Sequence, residues 1–152
     1  MTISLNTPRA IAVRPAEERD STDIARLAGE LGYPSTPEQI RERFAAFGGA
    51  SHQATFVAEI SGGAVMGWIH LSEERSLVSE PRAEITGLVI ESSSRGRGAG
   101  SLLVKRGEEW ARHRGLGTMG VRSNVIRERT RTFYVGLGYV ETKTQRVFRK
   151  AL

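Results

Sequence analysis

A glycine-rich segment with two arginines, residues 95–100 (Arg-Gly-Arg-Gly-Ala-Gly), has the composition of a phosphate-binding turn. Residues 84–91 before it have the β-branched and apolar content of a buried strand, and residues 101–112 after it space their apolar side chains as a helix does. The first N–H groups of a helix have no intrahelical acceptor and lie at the positive end of its dipole, while glycines let an anion approach the backbone. A strand, a glycine turn and a helix in this order therefore predict a site for a pyrophosphate or a nucleotide phosphate.

The spacing of the glycines excludes two common phosphate motifs. A Walker loop needs Lys followed by Ser or Thr after its last glycine, whereas Gly100 is followed by Ser101 and Leu102. A Rossmann turn that used Gly96 and Gly98 would need a further glycine where the chain has Ser101. Neither motif fits this segment.

The pattern that does fit is Arg/Gln-x-x-Gly-x-Gly/Ala, with Arg95, Gly98 and Gly100 in its fixed positions. Here the chain resembles the GNAT superfamily of acetyl-CoA-dependent N-acetyltransferases. Residues 133–139 (Phe-Tyr-Val-Gly-Leu-Gly-Tyr) also resemble the Phe-Tyr-x-x-x-Gly-Phe/Tyr signature near the end of such domains. The resemblance implies acetyl-CoA as the cofactor and direct attack by a primary amine in a ternary complex. The acceptor stays open between a small molecule, such as an aminoglycoside, and a peptide or protein amine.

The resemblance assigns the cofactor to two backbone surfaces. N–H groups of the glycine turn would hold the pyrophosphate, and the pantetheine arm would pair with the edge of the preceding strand. Without the resemblance, this strand would be interpreted as part of the core alone. An amide at Val89 or Ile90 is expected to donate to the thioester oxygen, and Asn124 to contact the pantetheine chain, although Asn is also ordinary at a strand end. The predicted cofactor-binding residues are Leu88, Val89, Ile90, Arg95, Gly96, Arg97, Gly98, Ala99, Gly100, Ser101 and Asn124.

Two residues are candidates for proton transfer. Tyr134 matches the tyrosine that commonly serves such enzymes as general acid, since a phenol with a pKa of about 10 is protonated at neutral pH and can protonate a leaving thiolate. The alternative is that Tyr134 only packs beside Phe133, with its hydroxyl at the surface. Glu84 lies eleven residues before Arg95, the offset at which some of these enzymes place a glutamate base. The alternative is that Glu84 is a solvated residue at the start of the strand and that the acceptor amine is deprotonated through water. Relatives have His where this chain has Arg131, so the role of that His is not carried over.

Tyr33, Trp68 and Glu84 are the candidate acceptor-binding residues. The segment between the first two helices borders the acceptor site in this superfamily, so Tyr33 lies in a predicted substrate loop, unless it only packs a turn between helices. Trp68 and His70 share one face of a strand by its period of two. A core position suits Trp68 better than a substrate platform, and a structural or surface role suits His70 better than that of a base.

Length and composition bound these interpretations. With 152 residues and 26% charged residues, the chain has room for one soluble globular domain, which we place at residues 10–152 behind a flexible tail at 1–9. There is no cysteine, and the three histidines share no ligand spacing, so no metal is expected. The chain has no apolar run long enough to span a membrane and no signal-peptide pattern, which predicts a cytoplasmic protein.

Charge divides the chain unequally. Residues 1–94 carry 8 Lys/Arg and 13 Asp/Glu, whereas residues 95–152 carry 14 Lys/Arg and 4 Asp/Glu. A phosphorylated cofactor accounts for the basic half more simply than nucleic acid, because no aromatic stacking platform is interleaved with the charges. The acidic half would favour a cationic amine as acceptor.

The remaining pattern predicts an α/β (α+β) fold: a mixed, mostly antiparallel sheet of six to seven strands, flanked by about four helices, with splayed central parallel strands. Strands are expected at 11–15, 55–60, 64–71, 84–91 and 118–123, and two more at 140–150. Helices are expected after Asp20, after Thr36 and after Gly100, with a short one ending at Gly138. Gly32 is expected to end the first helix, and Thr36 and Gln39 to form a capping box at the start of the second.

Two other function classes stay open. A coenzyme A-binding module that senses acyl-CoA or docks a partner would need the same cofactor residues but no turnover. A basic RNA-associated domain would bind with a steep dependence on salt. Dimerisation through the last strands is common in the superfamily, so a homodimer is also expected.

Overall fold

A computed structural model describes residues 10–47, 52–123 and 126–152. These residues fall into two compact units, the first ending at Val121 and the second beginning at Arg122.

The first unit contains a single five-stranded sheet in the order β1-β2-β3-β4-β5. The neighbours β1–β2, β2–β3 and β3–β4 are antiparallel, and β4–β5 is parallel. The strands are β1 (Ile11–Pro15), β2 (Gln53–Ile60), β3 (Val65–Glu74), β4 (Arg82–Ile90) and β5 (Met119–Val121). The predicted mixed and mostly antiparallel sheet is confirmed.

Helices cover both faces of this sheet. Helices α1 (Ser21–Leu31) and α2 (Pro37–Phe47) pack in one apolar cluster with Trp68. Helix α3 (Ala99–His113) lies on the opposite face, where a side chain on Gly107 would contact Leu71 at 3.0 Å. Residues 68 and 71 point to opposite faces of β3 because side chains alternate along a strand. Helix α4 (Glu128–Gly136) belongs to the second unit.

Local sequence signals set where α1 ends and α2 begins. Gly32 follows α1 with φ of +95°, and the amide of Tyr33 donates to the Ala28 carbonyl at 3.0 Å. This is a glycine-terminated helix end that satisfies an otherwise free carbonyl. At the start of α2, the Thr36 amide donates to Gln39 Oε1 at 2.9 Å, and the Gln39 amide donates to Thr36 Oγ1 at 3.2 Å. The predicted capping box is therefore present.

Strands β4 and β5 pair only over a short distance. The parallel register joins Ala83 to Met119, Glu84 to Gly120 and Ile85 to Val121, whereas β4 continues to Ile90. Within the described ranges, no strand pairs with this edge of β4 beyond Ile85. The predicted splay of the central parallel strands is confirmed.

The predicted number of strands was too high. Among the described residues, none in 140–150 is in a strand, and β5 is shorter than the predicted 118–123. Val140, Val147 and Phe148 are 81%, 69% and 86% exposed, respectively. Their β-branched and aromatic character suggested strands, but a strand also needs a partner to accept its backbone hydrogen bonds.

A buried ion pair joins β1 to the turn before α1. The Arg14 guanidinium donates two hydrogen bonds to Asp20, both at 2.8 Å, and the Glu17 amide donates to Asp20 Oδ2 at 2.7 Å. The Asp20 side chain is only 5% exposed. Burial by itself would raise the pKa of Asp20, but the bonds from Arg14 and Glu17 outweigh burial and lower it.

We predict that Asp20→Ala lowers the free energy of unfolding by about 3 kcal/mol, because the half-buried Arg14 guanidinium loses both short bonds to Asp20 and keeps Glu59, at 3.2 Å, as its ion-pair partner. The stability that the ionised carboxylate contributes is present above the pKa of an unfolded aspartate, about 3.9, and is lost as pH falls through the lower folded pKa. Urea unfolding across acidic pH measures both effects.

Asp23→Ala is the matched control, because Asp23 meets Arg26 at 3.4 Å with both side chains over a third exposed. Its loss should cost under about 1 kcal/mol. Equal losses for the two variants would contradict a structural role for the buried pair.

Candidate active site

The free edge of β4 begins where β5 ends. The amide of Glu91 donates to the Met66 carbonyl of β3 at 2.7 Å. Backbone groups of alternate residues in an antiparallel strand point to opposite sides, so Val89 also faces β3, and Leu88 and Ile90 face away from it. The Val89 carbonyl oxygen lies 2.7 Å from where a Cβ on Gly67 would be, as this orientation requires. The N–H and C=O groups of Leu88 and Ile90 are therefore directed to the open side.

The turn after β4 has the backbone of an anion cradle. A short 3₁₀ helix covers Ser92–Ser94, Arg95 is extended, and Gly96 and Gly98 have φ of +81° and +84°. Gly98 is the N-cap of α3 and has no side chain that could accept a hydrogen bond. The first N–H groups of the helix are therefore available to donate to a ligand. Left-handed glycines next to a helix N-terminus direct N–H groups towards one point.

This turn fits the phosphate groups of a nucleotide cofactor. Side chains on Gly96 and Gly98 would meet no atom within 4 Å, so the space beside the backbone is open. Arg95 and Arg97 are exposed on the same turn and carry the charge that a pyrophosphate needs. Ala99 is buried, and Gly100 and Ser101 lie in the first turn of α3.

A cavity of about 590 Å³ lies between α1, α2 and the sheet. It reaches β4 at Thr86 and Gly87, directly before the open edge at Leu88. Most of its wall is apolar or aromatic, formed by Ile24, Ala28, Leu31, Tyr33, Pro34, Ile40, Phe44, Phe47 and Trp68. A cavity of this size holds a small molecule.

Of the predicted acceptor-binding residues, Tyr33 and Trp68 line this cavity. Tyr33 is 72% exposed and follows the glycine that ends α1. Trp68 is buried in the core cluster, and its indole Nε1 has no hydrogen-bond partner, so packing alone holds the ring. Gly87 makes room for it, since a Cβ there would come within 2.7 Å of the indole.

His70 lines the same cavity in a fixed orientation. Thr55 Oγ1 lies 2.7 Å from Nδ1, and Gln53 Oε1 lies 2.9 Å from Nε2. The ring of Phe47 stacks on the imidazole with centroids 5.2 Å apart. Burial lowers the pKa of His70, so the ring is neutral at pH 7. Both ring nitrogens have partners, which agrees with the predicted structural role.

Glu84 lies at the paired end of β4. Its carboxylate is buried, accepts a hydrogen bond from Arg82 Nε at 3.3 Å and covers Gly120 of β5, where a Cβ would meet Glu84 Oε2 at 2.7 Å. Among the described residues, those that line the cavity do not include Glu84.

Tyr134 lies in the second unit. Its side chain is 7% exposed and makes edge contacts with the rings of Phe133 and Tyr139, with centroids 5.0 and 5.5 Å apart. Burial raises the pKa of Tyr134 to about 12. The phenol is therefore protonated throughout the physiological range.

Two other predicted positions have simple outcomes. Asn124 lies outside the described residues, so its predicted contact with the pantetheine chain stays a prediction. Arg131 donates to Glu141 Oε2 at 2.8 Å, and both side chains are more than half exposed.

Sequence reasoning did not identify Arg43, Phe47 and Thr86 as part of the site. Arg43 and Phe47 are one helical turn apart on α2, and both line the cavity. Their spacing signalled only a helix face, and the sequence did not reveal which surface α2 covers. Thr86 is the extra residue where the β3–β4 register shifts between His70 and Leu71, and such a bulge has no sequence signature here.

Comparison with known protein families identifies the family of this chain. The sequence profile of the Acetyltransferase (GNAT) family matches residues 21–139. The chain belongs to this family. This GNAT chain is an N-acetyltransferase with acetyl-CoA as its cofactor.

Known relatives of this GNAT chain match it over most of its length. An aminoglycoside N(6')-acetyltransferase type 1 of Klebsiella aerogenes is 28% identical over 146 residues, which are 92% of this chain and 96% of the relative. The structure of AAC(6')-Iy with the bisubstrate analogue CoA-S-monomethyl-acetylneamine has a TM-score of 0.83 at 20% identity, covering 94% of this chain and 99% of the other. AAC(6')-Ih of Acinetobacter baumannii has a TM-score of 0.82 at 18% identity, with 94% and 99% covered. These structures share the fold of this GNAT chain.

Two wider features of this GNAT chain concern membranes and metals. Within the described ranges, its helices are too short or too polar to cross a bilayer. In the same ranges, no group of three or more His, Asp and Glu side chains is arranged to hold a metal ion.

We predict that Gly98→Ala weakens coenzyme A binding about tenfold, which corresponds to about 1.4 kcal/mol. A Cβ at a φ of +84° costs about 1–2 kcal/mol in the left-handed region, so the turn relaxes and its N–H groups lose their common direction. Titration calorimetry with coenzyme A measures the change.

Gly62→Ala is the matched control, because Gly62 has a φ of +70° and equally open surroundings in the turn between β2 and β3. It should lose similar stability and keep the affinity for coenzyme A. Unchanged affinity in Gly98→Ala would contradict the anion cradle.

Proposed function

We propose that this chain acetylates a small-molecule primary amine, which enters the cavity beside β4 and attacks the acetyl thioester directly in a ternary complex. The observation that supports this most is the continuity of β4. Thr86 and Gly87 line the cavity, and Leu88 and Ile90 carry the open edge that follows. An acceptor in the cavity and a cofactor along the edge would therefore be neighbours.

The chain's own groups divide the work of holding the cofactor. Amides of the turn at Gly96–Ser101 and the guanidinium groups of Arg95 and Arg97 would hold the pyrophosphate. Leu88 and Ile90 would pair with the pantetheine arm, as a strand edge pairs with a peptide. When bound, acetyl-CoA supplies an acetyl thioester with an electrophilic carbonyl carbon.

The oxygen of this carbonyl needs a hydrogen-bond donor while negative charge develops on it. Of the two amides predicted for this role, the strand alternation favours Ile90, because the amide of Val89 faces β3. A backbone amide fixed in a strand is already oriented before the reaction, so it needs no reorganisation.

The leaving sulfur needs stabilisation as the carbon–sulfur bond breaks, and we assign this to Tyr134. A thiol such as that of cysteine has a pKa of about 8.5, whereas that of Tyr134 is about 12. Complete proton transfer from Tyr134 would therefore be uphill by about 5 kcal/mol. Tyr134 thus acts best as a hydrogen-bond donor to the sulfur, with the proton arriving from the reaction's own amine or from water.

The relatives suggest one acceptor by name. An aminoglycoside amine is a candidate because the Klebsiella relative is an aminoglycoside N(6')-acetyltransferase. We also propose that the protein acts in the cytoplasm. Self-association through the C-terminal residues stays a prediction, which sedimentation would test.

We predict that Tyr134→Phe lowers kcat about 100-fold and leaves coenzyme A affinity unchanged, since only the hydrogen bond to the leaving sulfur is lost. The wild-type rate should not fall at about pH 10 through tyrosine ionisation, because the pKa of Tyr134 is about 12. A steady-state assay of thiol release and calorimetry measure the two quantities.

Tyr139→Phe makes the same chemical change on the ring beside Tyr134 and serves as the control. A chain that only senses acyl-CoA would release no thiol with any amine. A Tyr134→Phe enzyme with full kcat would contradict the assignment of Tyr134.

The prediction that Glu84 is the base has its own test. Glu84→Gln keeps the shape of the side chain but cannot act as a base, so kcat/KM should fall about 100-fold or more. Wild-type kcat/KM in this variant would instead assign deprotonation to water. Glu59→Gln, a partly exposed partner of Arg14 on β2, is the control.

A further inference from the structure

The charge of the acceptor cavity differs from that of the acidic half of the chain. Among the described residues that line the cavity, none is Asp or Glu. Residues 1–9, 48–51 and 124–125, which lie outside the described ranges, contain no Asp or Glu either. The one charged residue among the described lining is Arg43, and His70 there is neutral.

Several acidic residues of the first unit pair with arginines. Asp20 and Glu59 pair with Arg14, Glu91 pairs with Arg26, and Glu73 pairs with Arg114. Glu84, two residues before the cavity residue Thr86, is bonded to Arg82 and covers β5. The local charge of the cavity is therefore positive, in a chain whose net charge is also +5.

Such a wall suits one kind of amine. A polycationic acceptor would bring several ammonium groups into an apolar space without a carboxylate to pair with them, which is strongly unfavourable. A single amine on an apolar body buries its body against the wall, and the same apolar surroundings lower the pKa of the amine. The neutral amine is the nucleophile, so this environment also favours the reactive form.

The aromatic residues specify the body of this amine further. Phe47 is stacked on His70, Trp68 lines the cavity from the core cluster, and Tyr33 is largely exposed in the loop after α1. Aromatic rings prefer the offset or edge contacts that such a set of rings provides. The Arg43 guanidinium donates one hydrogen bond to Ser35 Oγ at 3.0 Å, and its other N–H groups suit an anionic group on the acceptor.

We propose that the acceptor is an arylalkyl monoamine, preferably one with a carboxylate on its ring, rather than a polycationic aminoglycoside or polyamine. This rests on the proposed function, since it names the substrate class of the same cavity. Tyr33, Phe47 and Trp68 contact the ring, and Arg43 contacts the carboxylate.

The experiment measures thiol release from acetyl-CoA with four acceptors: phenethylamine, 4-(2-aminoethyl)benzoate, neamine and spermidine. We expect kcat/KM for phenethylamine to exceed that for neamine and spermidine at least tenfold. The benzoate should exceed phenethylamine by about tenfold more through the bidentate contact with Arg43.

Arg43→Gln should abolish the preference for the benzoate over phenethylamine. Arg41→Gln is the matched control, because Arg41 lies on the same helix, pairs with Glu38 at 3.6 Å and is not among the cavity residues. It should retain the preference. If Arg43→Gln retains it as well, the carboxylate contact is wrong.

Failure of the substrate class is distinguishable from failure of the enzyme. Turnover of neamine or spermidine above that of both aryl amines would overturn the inference and leave the acetyltransferase intact. If no amine is turned over, calorimetry on the protein loaded with coenzyme A decides. Binding of the aryl amines alone would support the cavity assignment and refute the proposed turnover, whereas absence of their binding would overturn both.

Discussion

The early end of the pairing between β4 and β5 is the constraint on which the site depends. Three register pairs join the two strands, and β4 then continues to Ile90 with β3 on its other side. A strand with free N–H and C=O groups is costly when buried and prone to pair with another extended chain. The proposed pairing with the pantetheine arm would satisfy these groups, so the open edge of β4 would be both the weak point of the sheet and its binding surface.

Both ends of the open segment are fixed by the surrounding fold. At its start, the register shift at Thr86 changes the direction of the strand. Gly87 leaves room for the indole of Trp68, since a Cβ on residue 87 would lie 2.7 Å from the ring. At its end, the amide of Glu91 is bonded to β3, and the chain then turns through Gly96 and Gly98 into α3. The cavity and the anion cradle are therefore held at a set spacing by one strand.

The sequence predicted the features that depend on local chemistry. The capping box at Thr36, the glycine that ends α1 and the glycines of the cradle follow from rules that act over a few residues. It failed where an outcome depends on a distant partner. Residues 140–150 have the composition of strands yet lack a neighbour in the sheet, and the face that Phe47 covers is decided by packing of α2 against β3.

The charge of the cavity also depends on partners that are distant in the sequence. An excess of acidic residues in the first half suggested a cationic acceptor, but the structure pairs several of these residues with arginines drawn from both halves, such as Arg14 with Asp20 and Arg114 with Glu73. A paired carboxylate stabilises the fold, and the opposite charge of its arginine partner weakens its field at longer distances. The chemical environment in the cavity is therefore set by the few side chains that line it, with Arg43 among them, and not by the composition of the segment that forms its wall.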